Sequence, residues 1–427
     1  MDAQKIRQYT DILKEELIPA MGCTEPIAIA YTASAAAECA KRELGADGLP
    51  DRVEVNVSSN IIKNVKSVTV PNTGGLKGIE AAAAAGILFG KSDLKLEVLS
   101  SVDPGCCSSI ERFAHSPVIK VSEAVTGKVL FIETVLWYGK HRVTARTEDS
   151  HTGLCYIAAD DKIIRDEPSE QIQTYDSSIL NIKDIIEYAD SVPVEDIEEV
   201  LMRQVEYNCA IAKEGMSGKY GAAIGRTLLM SYGNNVYTRA KAWAAAGSDA
   251  RMAGCDMPVI INSGSGNQGM AASLPVIVYA RELKVSDEIM LRALAVSNLT
   301  AIHLKSGIGC LSAYCGATSA GCGAGAGIMY LHGGRLTEIA HTIVNAIAIN
   351  SGVVCDGAKA SCAAKISSAV ESGLLGMQMY MHGKEFFSGE GIVSKGVENT
   401  IRNVGLLARN GMAGTDREIV RIMLGEN

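Results

Sequence analysis

The sequence predicts an α+β protein in which a β-rich α/β middle domain precedes a largely all-helical, Ala/Gly-rich domain. Three observations carry this. Between about residues 51 and 165, apolar and polar residues alternate with the period of a half-buried strand. From about Asn181 almost to the end the pattern is helical, in Ala-rich segments separated by Gly clusters. Finally, 47% of the 427 residues are hydrophobic, yet only 5% are aromatic and 43 are glycine. A large core must therefore pack through Ala, Gly and branched aliphatics, with backbones in close approach.

In chain order, a helix is expected from about residue 4 to 18, then a loop over Pro19–Cys23. Thr24–Lys41 follows as an Ala-rich helix with Pro26 near its first turn, where a missing N–H is tolerated. The segments RVEVNVSS (52–59), SVTVPN (67–72), LKLEVLSS (94–101), PVIKVSE (117–123), KVLFIETVLWY (128–138) and HRVTARTE (141–148) read as β-rich, interrupted by one helix, Gly78–Gly90. Residues 160–170, rich in charge, are the best linker. The expected divisions are 1–50, helices packing on the helical domain; 51–170, the α+β domain; and 171–427, the helical domain. No internal repeat is visible.

The net charge is −8 and no basic run occurs, which argues against a nucleic-acid partner. The opening MDAQKIRQYTDILKEEL has no apolar core or small-residue cleavage site, so no signal peptide is expected there. The longest uncharged stretch, 306–334, is mostly Gly, Ala, Ser and Cys, too weakly apolar for a membrane span, and reads as tightly packed backbone. A cytoplasmic protein without a membrane partner is expected. Its twelve cysteines are then thiols, ligands or catalysts rather than disulfides.

Five of the twelve fall between Cys310 and Cys362. The segments SGIGCLSAYCGATSAGCGAGAG (306–327) and NSGVVCDGAKASC (350–362) contain no C-x-x-C, so zinc-finger spacing is absent. Cys355 and Cys362 flank six small-loop residues, and Cys315 lies 40 positions before Cys355. Three thiolates on two Gly-rich loops can hold three irons of a cluster and leave a fourth without a protein ligand. Equally, free Cys packs as a small hydrophobe. That reading is taken for Cys39, Cys155, Cys209 and Cys255, and for the turn pair Cys106–Cys107; Cys310 and Cys322 stay undecided.

Other loops suit a small charged ligand. NSGSGNQGM (262–270) follows the apolar MPVII and precedes a helix expected near Ala271. Its backbone N–H groups can form an anion nest, with Asn262, Ser263, Gly264, Ser265, Gly266 and Asn267 as substrate contacts beside Gln268. PNTGG (71–75) offers Asn72 and Thr73 by the same logic. Both are also ordinary turn compositions. Cys23, in MGCTEPIA (21–28), stands at a helix N-terminus beside Thr24 and Glu25; the helix dipole lowers a thiol's pKa there and would make it a base. Otherwise it is a buried thiol beside a cap. Lys305 and His303, in AIHLKSG, and Lys219, in EGMSGKYG, are weaker candidates.

The run CGATSAGCGAGAG…HGG…INSGVVCDGAKASC resembles the α-chain of iron–sulfur L-serine dehydratases, mainly over the C-terminal half. With MGCTEPIAIAY, NSGSGNQG and CDGAK, essentially the whole chain is more similar to the L-cysteine desulfidase branch, the UPF0597 family. The resemblance implies a [4Fe-4S] cluster on Cys315, Cys355 and Cys362 with one iron free of protein ligand. It also implies Cys23 as base, Thr24 in the substrate site, L-cysteine or L-serine as the small amino-acid substrate, and a homodimer. The Ser-Ser-His-Thr motif of serine dehydratases is replaced by DSHTGL (149–154), where His151 is either catalytic or a structural hydrogen-bonding residue. The implied reaction is β-elimination of L-cysteine to pyruvate, ammonia and hydrogen sulfide, with serine dehydration as the alternative.

Two other readings compete. NSGSGNQG and GCGAGAG also suit a pyridoxal-phosphate dehydratase with Lys241 as the Schiff-base lysine, but the cysteines then go unexplained. An iron–sulfur redox sensor needs an output module, and none is visible.

Overall fold

The structure is a computed structural model that describes residues 1–168, 175–309 and 311–425. Its strands are β1 (Pro19–Met21), β2 (Arg52–Val57), β3 (Ile119–Glu123), β4 (Phe131–Tyr138), β5 (His141–Glu148), β6 (Leu154–Ala159), β7 (Lys162–Asp166) and β8 (Pro258–Ile260). Six of them form one sheet in the order β3-β2-β4-β5-β6-β7. Only β2 and β3 run parallel. The alternation in β2 buries Val53, Val55 and Val57 and leaves Arg52 exposed, as a sheet covered on one face requires. Helix Thr24–Leu44 lies on that sheet, with Thr32 Oγ1 2.7 Å from Thr147 Oγ1 of β5.

The two helices of residues 1–50 pack on different parts of the molecule. Ala3–Glu16 packs on the helical half, where Tyr9 donates to the Ile179 carbonyl at 3.1 Å and Thr10 meets Tyr188. Thr24–Leu44 instead covers the sheet, together with Ile79–Phe89. It is buried nearly all round its first three turns, so its small residues suit a two-sided environment rather than one helical neighbour.

Two β-rich expectations give way to turns. Over 94–101 the buried Leu96 reaches the core from a short 3₁₀ segment, Ser92–Glu97, and Val98 and Leu99 from just beyond its end, with Lys95 at φ 48°. Over 67–72 only a single bridge forms, Thr69 to Lys77. Two further helices, Ser59–Val65 and Cys107–Ala114, join Ile79–Phe89 in this region. The charged 160–170 segment carries β7 rather than a free linker, and 169–170 lie outside the described residues.

From Ile182, capped by the Asn181 side chain, the chain is helical apart from β8. At its centre Ala317–Leu331 is packed by Asp287–Ile308, Gly266–Leu283, Leu336–Asn350 and Cys362–Met381. GCGAGAG lies inside this central helix and is no phosphate loop. A Cβ on Gly325 would stand 2.7 Å from the Gly373 carbonyl oxygen, so the two helices meet backbone to backbone. The last helix, Ala413–Leu424, returns to pack on Ser59–Val65 of the α+β region.

Candidate active site

Three sequence-distant motifs are drawn together by short backbone pairings. β1 and β8 are antiparallel, Pro19 opposite Ile260 and Met21 opposite Pro258. This sets the 21–28 motif beside the 262–270 motif. Residues 262–265 close a tight turn, with Asn262 and Ser265 exchanging backbone bonds and both Ser263 and Gly264 at positive φ. Thr24 Oγ1 donates to the Gly264 carbonyl at 2.8 Å. A third motif is zipped separately: Cys315 N–H donates to Val353 O at 3.0 Å and Cys355 N–H to Ala313 O at 2.7 Å. Cys362 opens the helix Cys362–Met381. The Cys315 loop is also tied to the last helix, because Asp416 accepts the Ala313 N–H at 2.8 Å and pairs with the buried Lys63.

The result is one cavity of about 100 Å³. Its wall includes Cys315, Cys355, Cys362, Cys23, His151 and Lys305. Ser263, Gly264, Ser265 and Asn267 form another part of it. His151 arrives from the β5–β6 turn and its ring packs against Gly264; a Cβ there would be 3.1 Å from it. A wider cavity of about 510 Å³ shares His151, Ser263, Gly264 and Lys305 with the inner one, so these four stand at the junction.

Cys23 is the N-cap of its helix, as the motif suggests, but it is not a resting thiolate. It is buried and donates to Glu25 Oε2 at 2.9 Å. Burial first, and then the Glu25 charge, push its pKa well up; Arg251 opposes them and loses. The dipole effect expected at an exposed helix end is overridden by desolvation and a carboxylate neighbour. Burial would raise Glu25, yet the His151 imidazole and the Cys23 thiol bring it down to about 2. Within the cysteine set, Cys315 donates to Cys355, which is lowered to about 6 by that bond and by Lys63. Cys362 is raised by burial. Asp356 between them is held at about 2, since Lys359 and Lys365 outweigh its burial.

The 262–270 segment differs from a simple anion nest. The Ser263 N–H is taken by Glu16 at 2.7 Å and the Ser265 N–H by Asn262. The helix begins at Gly266 rather than near Ala271, so Gly266, Asn267 and Gln268 form its first turn, whose N–H groups have no intrahelical acceptor. Asn262 is fully buried and serves Asn298.

Several expected residues are not brought to the cavity. Asn72 donates to Leu99 O and Thr73 to Val70 O, so the 71–75 loop uses its own polar groups. Thr24, Asn262 and Gly266 support the wall without lining it. His303 pairs with Glu398 at 2.7 Å, Lys219 is not part of either wall, and Lys241 pairs with Glu371 beside Tyr237. Cys39, Cys106, Cys107, Cys155, Cys209, Cys255 and the helix-buried Cys322 line neither cavity. Cys310 lies outside the described residues.

The wall also holds groups the sequence reading passed over, notably Arg251 and Tyr314. Many of its polar atoms are buried without a hydrogen-bond partner: His151 Nε2, Arg251 Nε and Nη2, Asn267 Oδ1, Gln268 Oε1 and Tyr314 Oη. His151 Nε2 is 3.9 Å from Glu25 Oε1, too far for a hydrogen bond. Orphaned buried polar atoms are rare and costly, so their concentration here marks a polar ligand's place. A signal for Arg251 was available: it is a charge inside the otherwise Ala-rich AKAWAAAGSDARM.

Comparison with known proteins agrees with this grouping of motifs. The family described as serine dehydratase alpha chain matches residues 93–421. A UPF0597 protein of Desulfitobacterium hafniense is 56% identical over 98% of this chain and 96% of its own length. UPF0597 proteins of Lachnoclostridium phytofermentans and Treponema denticola are 49% and 44% identical, over 98% and 99% of this chain and 99% of each relative. The chain belongs to the UPF0597 family. Through the serine dehydratase alpha-chain domain, this UPF0597 protein is of the dehydratase-lyase type. No helix among its described residues is long and apolar enough to cross a membrane. Nor, among those residues, do three His, Cys, Asp or Glu side chains close on a single ion. A cluster makes a different demand, since each thiolate binds its own iron.

Proposed function

We propose that this UPF0597 protein is an iron–sulfur-dependent lyase that converts L-cysteine and water to pyruvate, ammonia and hydrogen sulfide. The observation that carries the reading is the meeting, in one small cavity, of three thiols from two loops with Cys23 and a wall of orphaned polar atoms. The donor set fits a [4Fe-4S] group. Cys315, Cys355 and Cys362 are soft ligands, Lys63 and Lys365 supply nearby positive charge, and no fourth cysteine of the described residues lines that cavity apart from Cys23. Such a cluster, when bound, supplies Lewis acidity for a leaving thiolate or hydroxide.

The chain's own residues do the rest. Cys23 is the base for the Cα proton. Its thiol rests protonated against Glu25 Oε2 at 2.9 Å, and Arg251, whose charge favours the thiolate, is the group in reach that eases its ionisation. His151 sits behind Glu25 and holds the carboxylate charge. Lys305 donates to the Gly309 carbonyl at the junction with the outer cavity and lies where substrate enters. As the Cα–H and Cβ–S bonds break, a Cα–Cβ double bond forms and hydrosulfide leaves. The enamine product tautomerises, and water releases ammonia to give pyruvate.

The test is anaerobic reconstitution with iron and sulfide, followed by assays of sulfide and pyruvate from L-cysteine and of pyruvate from L-serine. Sulfide and pyruvate in equal amounts from cysteine are expected. Turnover of serine alone would move the protein to serine dehydration, and no product from either would overturn the lyase reading.

A further inference from the structure

We infer that Arg251 is the carboxylate anchor of this site, and that the ligand is recognised as a zwitterionic α-amino acid, its ammonium facing Asn267 and Gln268. The inference rests on the lyase reading only for the identity of the side chain, not for the recognition itself.

Arg251 ends the helix Val236–Met252 and is 2% exposed. Its Nε and Nη2 are buried without hydrogen-bond partners, and no carboxylate pairs with it among the described residues. A guanidinium cannot shed its charge, and an unpaired buried charge is strongly destabilising. The neighbouring acids are committed elsewhere. Glu25 accepts from Cys23, and Asp249 Oδ2 accepts the Gly225 N–H at 3.1 Å. Room is kept for Arg251 by Gly266, where a Cβ would stand 2.5 Å from Nε and 3.0 Å from Cδ. The guanidinium therefore lies against the first turn of helix Gly266–Leu283, whose N–H groups favour an anion as well.

The same wall carries the opposite need. Asn267 Oδ1 and Gln268 Oε1 are buried acceptors without donors. Gln268 reaches across to the cysteine loop, since a Cβ on Gly316 would be 2.6 Å from its Oε1. An inorganic anion would satisfy Arg251 and leave these two oxygens orphaned; a simple amine would do the reverse. An α-amino acid satisfies both from adjacent atoms and turns its side chain toward Cys23 and the three-cysteine face.

The experiment uses the reconstituted holoenzyme in three measurements. Wild-type kcat/KM is compared for L-cysteine, L-cysteinamide and cysteamine. Arg251→Gln and Arg251→Lys are then assayed on L-cysteine, with the cluster's absorption recorded. L-alanine, which has no leaving group, is titrated calorimetrically into wild type and Arg251→Gln. The expected results are a preference of about 100-fold or more for L-cysteine over both analogues, and a similar loss in Arg251→Gln, carried mainly by KM. Arg251→Lys should fall between, the spectrum should not change, and L-alanine binding should vanish in Arg251→Gln. Arg251-dependent L-alanine binding in a protein that turns over neither cysteine nor serine would uphold the anchor and sink the lyase reading. Equal wild-type use of L-cysteine and L-cysteinamide would overturn the anchor without any variant. So would an Arg251→Gln protein that loses its cluster yet binds L-alanine normally, which would make Arg251 a counter-ion to the cluster instead.

Discussion

Two loops of this molecule look alike in sequence and differ in what they do with their polar atoms. Residues 71–75 and 262–266 are both rich in Asn, Gly, Ser or Thr, and each leads toward a helix. Each places an Asn or Ser at positive φ shortly before glycine: Asn72 at 57°, two residues before Gly74, and Ser263 at 49°, directly before Gly264. The first closes on itself. Asn72 and Thr73 spend their side chains on Leu99 and Val70 carbonyls, and Cys107 leans on the Asn72 carbonyl at 3.8 Å. The second leads into a helix whose first turn leaves Asn267 Oδ1 and Gln268 Oε1 buried and unanswered, beside an unanswered Arg251. Loop chemistry alone does not mark a binding site; a deficit in the hydrogen-bond account does.

The comparison is sharpened most by removing the reactive group that faces the second loop. Cys23→Ala is expected to keep the cluster, since Cys23 is not among its ligands, and to lower kcat by about 10²–10⁴-fold, the usual range for a lost acid–base group. Absorption and turnover of the same anaerobic sample check this, and full activity would remove Cys23 from the mechanism.

Much of this site was legible because chemistry-bearing residues are conspicuous in an Ala/Gly-rich chain: Cys315, Cys355, Cys362, the GCTEP motif and the 262–270 run reach one cavity. Three features were hidden for physical reasons. β1 and β8 are three residues each and are held by a pairing across 239 positions, from Ala20 to Val259, which no local period reveals. The helix start at Gly266 was masked because Gly-Asn-Gln has turn composition, and only tertiary support from β8 and Arg251 makes it helical. The apolar alternation of 94–101 was satisfied by turns that point Leu96, Val98 and Leu99 inward without a strand partner. Cys23 taught the opposite lesson. Its helix position was readable, but its charge state depends on burial and Glu25, which sequence does not order in space.

Within the second loop, Gln268→Leu should lower kcat/KM by about 10–100-fold, the equivalent of one or two buried hydrogen bonds to a charged group. Steady-state kinetics on L-cysteine check it. Unchanged kinetics would mean that the orphaned oxygen faces no ligand.

Glu25 tests the wall through pH. Its folded pKa of about 2 lies below the ordinary 4.5, despite complete burial. The carboxylate's contribution is thus present above pH 4.5 and lost as pH falls toward 2, on the order of 3 kcal/mol in total. Anaerobic denaturant unfolding between pH 6 and 3 should show Glu25→Gln losing less stability on acidification than wild type. Parallel curves would contradict the assigned Cys23–Glu25–His151 arrangement.

The smallest effect belongs to the self-contained loop. Asn72→Ala should cost about 1 kcal/mol of stability for its lost bond to Leu99, and should leave kcat/KM within about twofold, the scale of an interaction that touches no ligand. Thermal unfolding and kinetics on one preparation check it. A large kinetic defect would erase the distinction between the two loops.

The account's central claim is that the three-cysteine face and the polar wall around Arg251 belong to one site. The most direct test is electron paramagnetic resonance of the reduced, reconstituted protein, titrated with L-cysteine and, separately, with cysteamine. The account predicts that L-cysteine shifts the cluster signal in wild type at low concentration, while Arg251→Gln needs far more. A cluster signal indifferent to L-cysteine at any concentration would show that the cluster and the amino-acid wall do not share a ligand, and would contradict the claim.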